Sequence, residues 1–267
     1  MGYRNSTGVG RYASNETDVV FYTTSEVNPA LIVCHPHATN GLNTAFDPTM
    51  RDAWNELSKN YTVCVSDLGG PLTWGNSSTK TAINQIRTML QSRYGVTGKV
   101  GLLGISMGGL AALNYAKALP SNVSFCALLA PGVNLNDLRF YNSSTDSNDG
   151  STQGSFYNEI DQAYGGYVNS TMGPTYNPHM YRSSYPASSV RTGLWTTPND
   201  SVVRNTWADN LVIAQPSIER YSIRNSTGSG YHHSQVVYPG LTGLEGSPYA
   251  FQGIVSWCVD RRSDLSF

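Results

Sequence analysis

The chain has 267 residues, of which 39% are hydrophobic and 13% are charged, and its formal net charge is -1. This length is sufficient for a single α/β domain with a large core, whereas the near-zero net charge gives no electrostatic basis for binding nucleic acid or an anionic membrane. No apolar run approaches the length of a transmembrane helix, and the first eight residues lack the hydrophobic core of a secretory signal.

The compartment is predicted from composition, because the cysteines do not indicate it. The low charged fraction and the abundance of Ser, Thr, Asn, Gly and Tyr are typical of proteins displayed outside a cytoplasm. We therefore expect an extracellular or virion-associated protein, with a cytoplasmic location as the alternative.

The cysteines have no zinc or redox spacing, so we expect buried free thiols, with a Cys34–Cys64 disulfide as the alternative. The cysteines are Cys34, Cys64, Cys126 and Cys258.

The segment before residue 99 alternates between predicted strands and helices. Apolar runs predict strands at 18–24, 30–34 and 61–66. Apolar residues at helical spacing predict helices at 48–59 and from Ser77 or Ser78, as the capping residue, to about residue 93. Regular alternation of this kind is typical of a parallel, doubly wound sheet.

The stretch Lys99–Leu119 carries the most informative pattern in the chain. Val100–Leu103 is a short apolar run that predicts a buried parallel strand, and an Ala- and Leu-rich helical pattern follows it. Between them lies Gly104-Ile-Ser106-Met-Gly108, which places a serine at the apex of a strand–turn–helix unit. A serine on such a strained turn brings neighbouring backbone close, so the positions two before and two after it must lack bulk.

This Gly-x-Ser-x-Gly turn resembles the nucleophile elbow of the α/β-hydrolase superfamily, in its serine esterase and lipase-like branch. The resemblance implies an α/β fold with a doubly wound, mostly parallel sheet, and it implies that Ser106 is the nucleophile. The alternative is a Gly-rich strand-to-helix turn without a catalytic role, which the five-residue pattern alone does not exclude. Its position between a predicted strand and a predicted helix favours the elbow.

After the elbow, strands are predicted at 123–129, 192–197 and 219–223, and helices at 204–214 and 248–262. Residues 134–189 are instead rich in Tyr, Ser, Asn and Gly and lack long apolar periodicity. An irregular stretch of this length is usually functional or mobile, and it lies where hydrolases of this type insert a cap or lid.

We therefore expect one α/β-hydrolase domain over residues 1–267, with 134–189 as a Tyr-rich cap or lid insertion. Tyrosine rings line acyl pockets and stack on sugars, so Tyr157, Tyr164 and Tyr167 are the candidate substrate-binding residues. The alternative is a surface loop that is packed by its own aromatic side chains.

The base of the predicted triad is identified by its place in the sequence. In this fold the triad follows the chain order nucleophile, acid, histidine. The histidines after Ser106 are His179, His232 and His233, and His179 lies in the predicted cap, before the best acid. The base is therefore His232 or His233, and the resemblance of Gly230-Tyr-His232 to the family's Gly-x-His loop favours His232.

The acid is predicted to be Asp200, which follows a predicted strand and precedes a predicted helix, as the family's acid does. Asp137, after the preceding strand, is the second candidate, because some relatives place the acid there. The alternative role of Asp200 is to cap the helix that follows it.

The oxyanion hole that the resemblance implies consists of two backbone N–H groups. One belongs to Met107. The other comes from the loop after the strand 30–34, where His35 matches the family's His-Gly loop but Pro36 replaces the glycine, so His37 is the expected donor and Ala38 the second choice. His35 and His37 also have the spacing of a metal-binding pair, but no acidic or Cys partner lies at a recognisable spacing, so we expect no metal and no organic cofactor.

These residues predict a serine hydrolase that cleaves carboxylic esters through Ser106, Asp200 and His232 and an acyl-enzyme intermediate. The expected partner is a small-molecule ester or a cell-surface lipid or glycan ester, and the sequence indicates no oligomeric state. A peptidase or thioesterase on the same triad is one alternative. The other is a catalytically silent binding or structural module of this fold, such as an adhesin or a virion component, and the intact Ser-Asp-His set argues against it.

Overall fold

The computed structural model describes residues 3–4, 11–14, 18–22, 28–47, 50–96, 98–141, 156–196, 200, 202–222 and 247–265. Its nine described strands form one sheet in the order β1-β2-β3-β5-β4-β6-β7-β8-β9. The strands are β1 (Tyr3–Arg4), β2 (Arg11–Ser14), β3 (Val19–Tyr22), β4 (Ala30–Cys34), β5 (Thr62–Ser66), β6 (Val100–Ile105), β7 (Val123–Leu129), β8 (Arg191–Thr196) and β9 (Glu219–Ser222). Strands β4 to β9 pair in parallel, and β1 to β3 extend the sheet as an antiparallel edge that joins it through β5.

Helices cover both faces of this sheet. They are α1 (Gly41–Phe46), α2 (Arg51–Ser58), α3 (Ser77–Tyr94), α4 (Met107–Ala118), α5 (Leu135–Arg139), α6 (Tyr157–Tyr164), α7 (Asn169–Tyr176), α8 (Pro178–Tyr181), α9 (Asn205–Ala214) and α10 (Ser247–Asp260). The apolar side chains of α3, α4 and α9 pack into one core, and those of α1, α2 and α10 pack into the other. The sheet is therefore the middle layer of three, and the predicted doubly wound α/β fold is confirmed.

Strand β4 shows why the central strands are continuous apolar runs. Leu31 and Val33 pack into the core beneath α2, whereas Ile32 and Cys34 pack into the core beneath α4. Successive side chains of a strand point to opposite faces, so a strand that is covered on both faces needs apolar residues at every position. Each fully buried Val, Leu or Ile contributes about 1.5–3 kcal/mol of transfer free energy.

The elements predicted from the sequence are present, with one correction at the start of α3. The predicted capping residue was Ser77 or Ser78, but both are inside the helix, and Asn76 is the cap. The Asn76 Oδ1 atom accepts a hydrogen bond from the Thr79 N–H at 3.1 Å. Asparagine is as favourable as serine at this position, because its side-chain oxygen reaches the same unpaired backbone donors.

The described part of the segment 134–189 is more regular than its sequence indicates. The prediction of an irregular stretch is wrong for residues 156–184, which form α6, α7, α8 and a single 3-10 turn. These helices have four to eight residues, which is too short for apolar residues to repeat over several turns. Periodicity therefore could not identify them.

All four cysteines are free and buried, as predicted. Cys34 and Cys64 lie on neighbouring strands but are out of register, because Cys34 pairs with Ser66 and Cys64 pairs with Ile32. Burial raises the pKa of Cys126 to about 12, and it raises the pKa of the Cys34 thiol as well. These side chains are protonated at neutral pH and pack as small hydrophobic groups.

Candidate active site

Ser106 occupies a sharp turn between the central strand β6 and the helix α4. Its backbone has φ 52° and ψ -115°, a conformation that costs a non-glycine residue about 1–3 kcal/mol. Neighbouring backbone holds the turn in place, because the Ser106 N–H donates to the Leu129 carbonyl at 2.9 Å and the Ser106 carbonyl accepts from the Gly109 and Gly132 N–H groups. The strain is thus maintained by hydrogen bonds to the end of β7 and to the loop that follows it.

The glycines beside Ser106 are required by close backbone contacts, as the sequence predicts. A Cβ atom on Gly104 would lie 2.6 Å from the Gly109 Cα atom. A Cβ atom on Gly108 would lie 2.1 Å from the Cys34 carbonyl oxygen at the end of β4. The elbow therefore packs directly against the neighbouring strand, and the loop after β4 begins beside the first turn of α4.

The environment of Ser106 favours negative charge near its side chain. Ser106 is 6% exposed, and α4 extends for 12 residues from Met107. The Met107 N–H is the first of the helix and has no acceptor within it, and the helix dipole adds partial positive charge at this end. The predicted oxyanion donor Met107 is thus a backbone N–H at a helix N-terminus next to the serine.

The loop after β4 contains the other predicted oxyanion donors, His37 and Ala38. Ala38 has φ 55°, so this loop is also strained. The completely buried His35 ring contacts the Asp67 carbonyl oxygen through Nε2 at 3.0 Å and so joins this loop to the loop after β5. The role of His35 here is to hold two loops together at the carboxyl ends of adjacent strands.

The His37 side chain is enclosed by residues that the sequence interpretation did not assign to the site. Its Nε2 atom lies 2.6 Å from Glu159 Oε2, and its ring lies 5.2 Å from the Trp74 ring and 4.9 Å from the Phe156 ring. Phe156 in turn stacks on Tyr141 at 5.5 Å. The aromatic character of the segment was a usable signal, but no sequence pattern pairs Glu159 with His37.

Asp200, the predicted acid, lies just after β8 and is 8% exposed. Its Oδ1 atom accepts hydrogen bonds from the Val202 N–H at 2.9 Å and the Val203 N–H at 2.8 Å. These contacts fix the orientation of the carboxylate and are of the capping type considered for this residue. A carboxylate has a second oxygen, so capping through one oxygen is compatible with a triad role.

The second candidate acid, Asp137, lies on α5 in a different environment. Burial raises the pKa of Asp137, and the nearby His179 and Arg204 side chains oppose this rise. Burial lowers the pKa of His179, and the buried His179 Nδ1 atom has no hydrogen-bond partner among the described residues. Asp137 and His179 therefore belong to one polar cluster that includes Trp207 on α9.

The predicted bases His232 and His233 lie outside the described residues. The predicted substrate-binding tyrosines lie on or next to α6, each with a contact inside the protein. The Arg139 guanidinium lies over the Tyr157 ring, with Cζ 4.0 Å from the ring centre. The Tyr164 hydroxyl donates to the Trp74 carbonyl at 2.7 Å, and the Tyr167 hydroxyl donates to Asn169 Oδ1 at 2.8 Å.

Two kinds of site are not found in the described part of the chain. No group of three or more His, Cys, Asp and Glu side chains there is placed to hold a metal ion. None of the helices described combines the length and the apolar character needed to cross a membrane.

A serine at positive φ between a central parallel strand and a helix, in a doubly wound sheet, defines the α/β-hydrolase class. The sequence matches the family described as "Putative esterase" over residues 23–230, and the chain belongs to this family. Membership of this family identifies the protein as a hydrolase of carboxylic esters. No curated protein matches the sequence.

Solved structures share the fold at low sequence identity. Carboxyl esterase 2 from the fungus Tuber melanosporum is 14% identical, with a TM-score of 0.63 over 100% of this chain and 85% of that one. An S-formylglutathione hydrolase from Agrobacterium tumefaciens is 11% identical, with a TM-score of 0.63 over 100% of this chain and 94% of that one. A sugar hydrolase from Lactococcus lactis is 17% identical, with a TM-score of 0.61 over 95% and 97% of the two chains. At these identities the likeness is one of fold.

Proposed function

We propose that this esterase is a serine hydrolase in which Ser106 is the nucleophile, Asp200 the acid, and His232, or else His233, the base. The observation that carries the proposal is the backbone of Ser106, which adopts φ 52° at the start of α4. Such strain persists only where surrounding structure imposes it, and it is concentrated at functional sites. The labelling experiment described below separates this proposal from a silent binding module of the same fold.

The proposed reaction is acyl transfer in two stages. The histidine removes the Ser106 hydroxyl proton while Oγ forms a bond to the ester carbonyl carbon, and the carbonyl electron pair moves onto its oxygen. The intermediate collapses, the bond to the alcohol oxygen breaks, and the histidine returns the proton to the leaving alcohol. Water then repeats the sequence on the acyl-enzyme and releases the carboxylic acid.

The negative oxygen of each intermediate is assigned to the N–H groups of Met107 and of His37 or Ala38. Losing one donor of this kind costs about 2.7–4 kcal/mol of activation free energy. Asp200 holds the imidazole in the tautomer that accepts the serine proton, and the two backbone N–H groups at its Oδ1 atom keep the carboxylate oriented. No step in this sequence requires a metal or an organic cofactor.

We also propose that residues 134–189 act as a cap and that Tyr157, Tyr164 and Tyr167 contribute to substrate binding. Support comes from Phe156 and Glu159, which contact the loop after β4 through His37. Aromatic walls suit an acyl chain or the face of a sugar ring, so the proposed substrate is a small-molecule or cell-surface lipid or glycan ester. A location outside the cytoplasm stays a prediction from composition.

The test is labelling of the folded protein with a fluorophosphonate, followed by mass spectrometry of the modified peptide. We expect one adduct, on Ser106, and we expect Ser106→Ala to lose both the adduct and the cleavage of nitrophenyl esters, with kcat reduced on the order of 10⁶-fold. Ser92→Ala, at an exposed position of α3, is the matched control and should retain both. Folded wild-type protein that forms no adduct would favour the binding module, and a panel of esters of graded chain length would identify the preferred acyl group.

A further inference from the structure

We propose that Glu159 is a positioning residue for the oxyanion hole, because its carboxylate holds His37 and thereby the loop after β4. This role rests on the esterase mechanism proposed above and adds to it a residue from the segment 134–189. The consequence is that α6, in the proposed cap, has a role beyond covering the site. It also fixes the geometry of a group that stabilises the transition state.

The contact between the two side chains is short and specific. His37 Nε2 lies 2.6 Å from Glu159 Oε2, and the side chains are 23% and 30% exposed. A ring N–H that donates to a carboxylate forms a charge-assisted hydrogen bond, which is stronger and more directional than a neutral one. Partial burial reduces the competition from water, so the bond restrains the imidazole more than an exposed pair would.

Aromatic rings restrain the imidazole on other sides. The His37 ring lies 4.9 Å from Phe156, edge to face, and 5.2 Å from Trp74. Phe156 and Trp74 also contact each other, with 5.0 Å between ring centres. Together with Glu159, these rings leave the imidazole little freedom, and two of the three contacts come from residues 156–159.

Helix α6, which carries Glu159, is itself fixed to the body of the protein. At its C-terminal end the Tyr164 hydroxyl donates to the Trp74 carbonyl, and the Asn76 side-chain amide donates to the Ala163 carbonyl at 2.7 Å. Asp161, on the same helix, pairs instead with Arg139 of α5, which lies within the segment 134–189, so this ion pair is not one of the contacts that fix the helix to the body. The helix is therefore a fixed platform, and its contact with His37 can set the position of the loop.

The loop after β4 needs such support because its backbone is strained. Ala38 has φ 55°, a region that favours glycine and is uncommon for alanine. The start of the loop is held against the elbow, as the close approach of Gly108 to the Cys34 carbonyl shows. The His37 side chain restrains the middle of this loop, immediately before Ala38, where the N–H of His37 or Ala38 is assigned to the oxyanion.

The proposal is tested by steady-state kinetics of Glu159→Ala and Glu159→Gln on a nitrophenyl ester. A small displacement of a catalytic group costs up to about 10²-fold in rate, so we expect Glu159→Ala to lower kcat by between roughly 10-fold and 10²-fold with little change in KM. Glu159→Gln retains an oxygen that accepts the His37 N–H, so we expect it to recover most of the lost kcat. A purely structural role would not give this separation of kcat from KM together with rescue by glutamine.

Controls separate positioning of His37 from general loosening of the segment. Asp161→Asn weakens the ion pair on the same helix without touching His37, and Glu56→Gln removes an exposed ion pair with Lys59 on α2. Both should keep kcat within about two-fold of wild type. His37→Ala should match Glu159→Ala, and the double variant should lose little more, because both changes remove one interaction.

Thermal unfolding and fluorophosphonate labelling accompany each variant, so that loss of folding is not read as loss of positioning. The proposal is overturned if Glu159→Ala retains wild-type kcat, if its defect is confined to KM, or if Asp161→Asn gives an equal loss. If Glu159→Ala does not fold, the proposal is tested with Glu159→Gln and His37→Ala instead. A wild-type kcat in both of these variants overturns the proposal. A wild-type protein without a Ser106 adduct would instead refute the proposed function itself.

Discussion

In Gly108→Ala, at the elbow, a gain in helix propensity opposes a steric clash with neighbouring backbone. Alanine is favoured over glycine inside a helix by about 1 kcal/mol, which by itself predicts a more stable protein. The new Cβ atom, however, would lie 2.1 Å from the Cys34 carbonyl oxygen and 2.5 Å from its carbon, well inside the ordinary contact distance of about 3.5 Å. The obstacle is the backbone of a central strand, so no side chain can move aside to relieve the clash.

The steric cost should exceed the gain in helix propensity. Overpacking costs about 1–3 kcal/mol where side chains can adjust, and a clash with backbone belongs at the upper end of that range. Subtracting the propensity gain leaves a net loss of about 2 kcal/mol in the free energy of unfolding. Relief of the clash would separate β4 from α4, so we also expect slower fluorophosphonate labelling of Ser106.

Gly253→Ala is the matched control, because Gly253 is an exposed position on α10 where the nearest atom to the new Cβ is Trp195 Nε1 at 3.9 Å. Here the propensity effect acts alone, and we expect stabilisation of up to about 1 kcal/mol. Urea unfolding of both variants measures the difference. The reasoning is refuted if Gly108→Ala is as stable as wild type and its Ser106 reacts at the wild-type rate.

Two further predictions concern the acid and the thiols. Asp200→Asn should lower kcat on the order of 10⁴-fold, as loss of a triad acid does, whereas Asp137→Asn should leave kcat near the wild-type value. Ester hydrolysis by both variants decides between the two candidate acids. A large loss of kcat in Asp137→Asn, with none in Asp200→Asn, would reassign the acid to Asp137. The buried thiols should resist alkylation by iodoacetamide at pH 8, since burial raises the pKa of Cys126 to about 12. Mass spectrometry should count no modified cysteine in native protein and four in urea, and fast native labelling would contradict their burial.

The short contacts around His37 suggest a role for the segment 134–189 that differs from the substrate binding suggested by its composition. Tyrosine content directed attention to Tyr157, Tyr164 and Tyr167 as possible substrate contacts. The hydroxyl of Tyr164 donates to the backbone of Trp74, and the charged residue Glu159 makes the contact with His37 in the loop after β4. If Glu159 acts as proposed, displacement of the segment from the body would weaken catalysis even with the nucleophile intact.

The sequence by itself determined the sheet and the elbow, because both depend on neighbouring residues. Val100–Leu103 identifies a strand buried on both faces. The glycines beside Ser106 indicate that neighbouring backbone packs closely against the elbow. The place of the candidate acid Asp200, after a predicted strand and before a predicted helix, was also visible in the sequence, and β8 does precede it. In each case the physical constraint operates within a few residues, so the pattern is visible along the chain.

Only the tertiary structure decided which side chains surround His37 in the loop after β4. His37 and Glu159 are separated by 122 positions in the sequence, and their contact depends on how the short helix α6 is fixed to the loop after β5. Helices of four to eight residues leave no periodicity to detect. A hydrogen bond between distant residues depends on the packing of the elements that carry them, and no local pattern of residues encodes that packing.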